Sequence, residues 1–173
     1  PSRLAVVALR CLPSAVRIVA REPIAQARME RYLSRPIVLA ADVAFLFRPV
    51  VRAQNALQPF IDWIRGERVK GQRVLGLNMA DIPDVPTDDL VRMCIRTVER
   101  MRSASFLLIP HVKYGLATMP DEEQLLRRIL SGLSLESRGR CSLVPFPYDL
   151  SDLEQLLSAL DCALTGRMHF SIG

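Results

Sequence analysis

Short apolar runs without polar alternation recur along this chain, and they leave few folds open to it. Ser105-Phe106-Leu107-Leu108-Ile109-Pro110 carries no charge at any position. A strand of that kind needs apolar cover on both faces, which a parallel sheet between two helical layers supplies. Similar runs occur at Arg17–Glu22, Pro36–Ala40, Arg73–Asn78, Cys141–Pro145 and Cys162–Gly166. Between them lie segments with helical spacing. Pro23 suits the first turn of a helix that extends to about Leu33, because its missing N–H has no partner to lose there. Phe60, Ile61 and Ile64 predict a short helix followed by a charged turn over Gly66–Gly71. Leu90, Val91, Cys94, Val98 and Met101 mark the buried face of a helix that begins at Thr87, with Asp88 and Asp89 against its positive end. Leu125, Leu126, Ile129, Leu130 and Leu133 form the stripe of another, from about Pro120. Ser151-Asp152-Leu153-Glu154 has the form of a capping box, and a last helix should open at Arg167. The expected fold is α/β: one doubly wound, Rossmann-like parallel sheet over residues 1–173, with helices on both faces and right-handed crossovers.

Composition narrows the partners. Half of the 173 residues are hydrophobic and 24% are charged, which suits a packed domain and argues against disorder. The net charge is +5 and nearly all of the basic residues are arginine, Lys70 and Lys113 being the only lysines. Arginine's planar fork matches carboxylates and phosphates, so an anionic ligand fits. No basic run and no aromatic ladder accompanies it, so nucleic acid is not expected. Cys11, Cys94, Cys141 and Cys162 form no Cys-x-x-Cys pair, which predicts buried free thiols near the strands, a reducing cytoplasmic setting and no metal. No stretch approaches the roughly 20 apolar residues of a membrane span. The chain starts without Met and stops without a helix-ending pattern, so it reads as cut at both ends.

In open parallel sheets, ligands sit beyond the carboxyl ends of the strands. The chain puts Arg21 and Glu22, Asp42, Asn78, His111 with Lys113, and Gly166, Arg167 and His169 at such ends. Gly166-Arg167-Met168-His169 has the clearest logic. Glycine lets a ligand approach the backbone, a helix start behind it favours an anion, arginine supplies a fork, and histidine moves a proton near neutral pH. A surface arginine beside a packed histidine would give the same four letters. Arg21 and Glu22 could equally form a buried ion pair, Asp42 a turn, and His111 a structural contact. Walker, complete Gly-x-Gly-x-x-Gly and Gly-x-Ser-x-Gly patterns are absent.

Taken in order, four segments resemble the polysaccharide pyruvyl transferase family. They are Arg17-Ile-Val-Ala-Arg21-Glu22-Pro23, Ala41-Asp42-Val-Ala-Phe45, Leu107-Leu-Ile-Pro-His111 and Leu164-Thr-Gly-Arg167-Met168-His169. The resemblance implies one lobe, the C-terminal one, of a two-lobed fold like that of GT-B glycosyltransferases. It also implies transfer of the enolpyruvyl unit of phosphoenolpyruvate onto two hydroxyls of a sugar, as a cyclic ketal. The partners would be phosphoenolpyruvate and a saccharide acceptor, free or lipid-linked, with no further cofactor. The location would be cytoplasmic, with the inner membrane face as an option.

By that resemblance, Arg21, Arg167 and His169 lie at the phosphoenolpyruvate site, with Met168 as a further expected substrate contact. His169 is the expected general acid/base and His111 a second candidate, with Glu22, Asp42, Asn78 and Gly166 in support. The chain departs from the family pattern at Ala25, where a serine is usual, and at Met168, where leucine is. Two other readings stand beside this one. The chain could be a nucleotide-sugar glycosyltransferase lobe, or an α/β binding module without activity.

Overall fold

The computed structural model describes residues 3–41, 55–80, 84–112 and 121–166. Contacts divide the chain into two compact units, Pro1–Phe47 and Arg48–Gly173. Each is described by itself.

The smaller unit contains α1 (Arg3–Arg10), β1 (Val19–Ala20), α2 (Pro23–Tyr32) and β2 (Val38–Leu39). The two strands pair in parallel, Val19 opposite Val38 and Ala20 opposite Leu39. Both are shorter than the apolar runs that predicted them, because only the central residues of each run find a partner. Ile18, Ala20, Leu33 and Ile37 form the core, with Leu9, Ala25 and Met29 against it. Ala25 is thus a packing residue on the inner side of α2. The Gln26 side chain donates to the Ile37 carbonyl at 2.8 Å and ties α2 to β2. Arg21 and Glu22 are exposed, which excludes the buried ion pair.

The larger unit contains α3 (Gln58–Val69), β3 (Arg73–Asn78), α4 (Thr87–Arg100), β4 (Ala104–Leu108), α5 (Glu122–Gly132), α6 (Leu135–Arg138), β5 (Cys141–Leu143), α7 (Leu150–Ser158) and β6 (Cys162–Thr165). Its four strands pair in parallel in the order β5-β4-β3-β6. The fold is therefore the expected α/β arrangement. Alternate strand residues feed two cores. Leu75, Leu77, Phe106 and Leu108 meet Val91, Cys94, Val98, Leu125, Leu126 and Ile129 of α4 and α5. Val74, Leu107 and Ile109 meet Ile61, Ile64, Leu153 and Leu156 of α3 and α7 on the other face.

Three local expectations change. Gly66, Glu67 and Arg68 belong to α3 rather than to a turn. The reason is Glu67, which is buried and accepts from Ser105 Oγ and Lys70 Nζ, both at 2.6 Å. The reversal is left to Gly71, at φ +80°, a backbone conformation that glycine adopts without strain. The cap of α7 is Asp149, whose carboxylate accepts from Ser151 N at 2.8 Å, so Ser151 and Glu154 lie inside the helix. Cys94 is buried, but Cys11 and Cys162 are exposed, the latter because β6 is an edge strand. The helix expected from Arg167 lies outside the described residues.

Candidate functional site at the sheet switch point

Strand order fixes where a crevice must open. From β3 the chain steps outward to β4 and β5, then returns to place β6 on the other side of β3. The order therefore reverses between β3 and β6. In open parallel sheets the ligand crevice lies at such a reversal, outside the carboxyl ends of the two strands. Asn78 pairs with Thr165 at that edge, and Gly166 N donates to the Asn78 carbonyl at 3.2 Å.

Asn78 is fully buried and its amide is used at both ends. Nδ2 donates to the Ile109 carbonyl at 2.9 Å and to Glu122 Oε2 at 3.1 Å, while Oδ1 accepts from Thr165 Oγ1 at 3.1 Å. One side chain thus pins the ends of β4 and β6 to the end of β3. A buried primary amide without partners would cost about 1–3 kcal/mol, which makes this full set of bonds the condition for placing asparagine there.

Glu122 is the second member. It is the first residue of α5, directly after the N-cap Asp121, and it is 1% exposed. Its Oε2 accepts from His111 N at 2.7 Å, from Val112 N at 3.1 Å and from Asn78. A buried carboxylate is stabilised by such donors and by the positive end of its own helix. Sequence reasoning passed over Glu122, since a glutamate in the first turn of a helix looks like ordinary surface chemistry. Its only signal was the adjacent Asp121-Glu122-Glu123 run.

Tyr148 closes the outer side. Its hydroxyl donates to the Pro110 carbonyl, and its ring meets Phe146 edge-on at 5.3 Å. Burial, and secondarily the charge of Glu122, push its phenol above the usual tyrosine range.

Gly166 leaves the sheet at the mouth of the crevice. A Cβ there would lie 3.4 Å from the Ala80 backbone nitrogen and 3.8 Å from Met79 Sδ. The ends of β3 and β6 therefore run close together, with a Cβ at this position in ordinary van der Waals contact with Met79 and Ala80. The structure thus brings Asn78, Gly166 and the His111 backbone to one edge. Arg21 and Glu22 stand at the equivalent place in the smaller unit, between the end of β1 and the start of α2, where Glu22 is the N-cap residue. Asp42, Lys113, Arg167, Met168 and His169 lie outside the described residues. Among the described residues no group of His, Cys, Asp and Glu could hold a metal ion.

The family model of the polysaccharide pyruvyl transferases matches residues 6–173. The chain belongs to that family. No curated protein matches it. A polysaccharide pyruvyl transferase takes a saccharide acceptor. Among the described residues no helix is long and apolar enough to cross a membrane.

Proposed function

We propose that this polysaccharide pyruvyl transferase uses phosphoenolpyruvate as donor and forms a cyclic pyruvate ketal on a sugar. The observation that carries the proposal is the place of Gly166: the residue before Arg167 sits at the mouth of the switch-point crevice, bonded to Asn78. Arg167, Met168 and His169 follow immediately in sequence. Phosphoenolpyruvate carries a carboxylate and a phosphate, groups that suit the guanidinium forks of the proposed donor-binding residues Arg21 and Arg167. Met168 is a further proposed donor contact, with Glu22, Asp42, Asn78 and Gly166 in supporting roles.

The chemistry assigned to these groups balances. One sugar hydroxyl adds to C2 of the enol and gives up its proton to the general base, while a proton is delivered to C3, which becomes the methyl group. The C2–O bond to phosphate breaks, and phosphate leaves with its electron pair. A second hydroxyl then adds to the oxocarbenium-like C2 and releases its proton. His169 is the proposed general acid/base, a role worth roughly 10²–10⁴-fold in rate, and His111 the second candidate. Arginines set around the departing phosphate stabilise charge as it develops. No cofactor beyond the donor is required by this sequence of steps. The acceptor is a saccharide, free or lipid-linked, and the setting is cytoplasmic.

The test is ligand stabilisation followed by turnover. At a hundredfold excess over its dissociation constant, phosphoenolpyruvate should stabilise the full-length protein by about 2.7 kcal/mol, and R167A should abolish that shift. Phosphate release on adding a saccharide acceptor completes the assignment. Stabilisation by a nucleotide-sugar and not by phosphoenolpyruvate would replace this reading with glycosyl transfer. Stabilisation by neither would leave a binding module.

A further inference from the structure

The outer face of α4 carries arginines that the fold does not use. Arg92, Arg96 and Arg100 recur every four residues, are exposed, and line one shallow groove with Asp89, Met93 and Thr97. Neighbours at i and i+4 on a helix meet each other, and like charges there cost a few tenths of a kcal/mol per pair. Several other surface arginines of this unit are paired with acids. Arg65 pairs with Asp62, Arg68 with Asp161, Arg127 with Glu123 and Arg128 with Asp88. Arg92 reaches back three residues to Asp89, whereas Met93 and Thr97 stand three residues before Arg96 and Arg100. Among the described residues neither has an ion pair, and neither does Arg102, in the turn just beyond the helix.

The same surface also exposes apolar side chains. Leu135 opens α6 and is 86% exposed, and Met93 is 50% exposed. Leu135 is held beside α4, because Glu99 accepts from Ser134 N, Ser134 Oγ and Ser137 Oγ at 2.8, 3.1 and 2.6 Å. Those bonds keep the Glu99 carboxyl below its ordinary range and commit it to the helix junction rather than to the arginines. The result is an arginine-rich helix face with an exposed leucine, next to the exposed Glu136, on the short helix held beside it.

We infer that this face of α4 and α6 is a peripheral docking site for an anionic bilayer. Lipid headgroups supply a plane of negative charge for Arg92, Arg96, Arg100 and Arg102, and Leu135 enters the headgroup layer. Both features are needed to choose the partner. A soluble polyanion would satisfy the arginines but would leave Leu135 and Met93 in water. Basic residues near an anionic membrane each contribute about five- to tenfold to partitioning. The association is accordingly weak, reversible and screened by salt.

The experiment is co-sedimentation of the full-length protein with vesicles of phosphatidylcholine, with and without about one-third phosphatidylserine. Binding should require the anionic lipid and weaken strongly at about 0.5 M salt. The double variant R96E/R100E should lower partitioning about 10²-fold or more, and Leu135→Glu should lower it while leaving the guanidinium groups in place. Neither substitution touches the proposed donor site, so turnover of a soluble acceptor should be unchanged. Equal binding to neutral vesicles, unaltered binding by R96E/R100E, or capture by a soluble acidic polysaccharide without vesicle binding would each overturn the inference. These outcomes are independent of phosphoenolpyruvate binding, so the two proposals stand or fall separately.

Discussion

Replacing Glu122 by alanine should destabilise the larger unit far more than its place at the start of a helix would suggest. The carboxylate accepts three N–H groups on one oxygen, from His111, Val112 and Asn78. Hydrogen bonds to a charged group are worth about 1.5–3 kcal/mol, and a buried donor left unpaired costs about 1–3. The sum overshoots, for two reasons visible in the geometry. The His111 and Val112 amides are only part-buried, so water can take the place of the carboxylate, and Asn78 keeps its bond to the Ile109 carbonyl. About 3 kcal/mol remains, and at this chain length each kcal/mol moves Tm by about 2–4 °C. Glu122→Gln retains an acceptor oxygen at the same position and should cost about 1 kcal/mol. Urea unfolding measures both, as a change in midpoint at constant slope. The double variant E122A/N78A should lose less than the sum of the two single losses, because they share a bond. Strict additivity, or an E122A variant within about 0.5 kcal/mol of the parent, would refute the view that this carboxylate holds the crevice edge together.

Thiol chemistry and acid sensitivity supply two further checks. Burial pushes the Cys94 and Cys141 thiols up to about 11, whereas Cys11 and Cys162 are exposed, so a disulfide reagent at neutral pH should label two thiols quickly and all four only after unfolding. Asp161 is held below its ordinary 3.8 by the Val74 amide and by Arg68. Its stabilising contribution is therefore present above that value and lost as pH falls through the depressed range, so the parent should lose more stability below about pH 4 than Asp161→Asn does, as followed by circular dichroism in an acid titration.

Element type was legible in the sequence wherever one side of the chain had to be buried. The uncharged run Ser105–Pro110 became β4, and the stripe Leu90, Val91, Cys94, Val98 became the inner face of α4. The alternation of such runs with helices was enough to give a parallel sheet, because hydrophobic period and burial are local properties of a segment. Ends were less legible. Glu67 continues α3 because Ser105, distant in sequence, satisfies it, and Asp149 rather than Ser151 caps α7. The choice among equally good local caps or turns is made by what packs against them.

The site divides in the same way. The sequence by itself placed Asn78, His111 and Gly166 at strand ends, since the end of an apolar run marks where a strand leaves the sheet. It also carried the order of motifs by which the chain resembles its family. It could not say that β6 returns beside β3 rather than beyond β5, yet that strand order alone makes Asn78 and Gly166 neighbours. Nor could it single out Glu122, one of 18 acidic residues, as a buried carboxylate that gathers three donors on one oxygen at the strand ends. Strand order is settled by the balance of two cores on opposite faces of the sheet, and a buried hydrogen-bond network by groups that meet only after those cores have formed. Both depend on contacts between segments far apart along the chain, which no local pattern encodes.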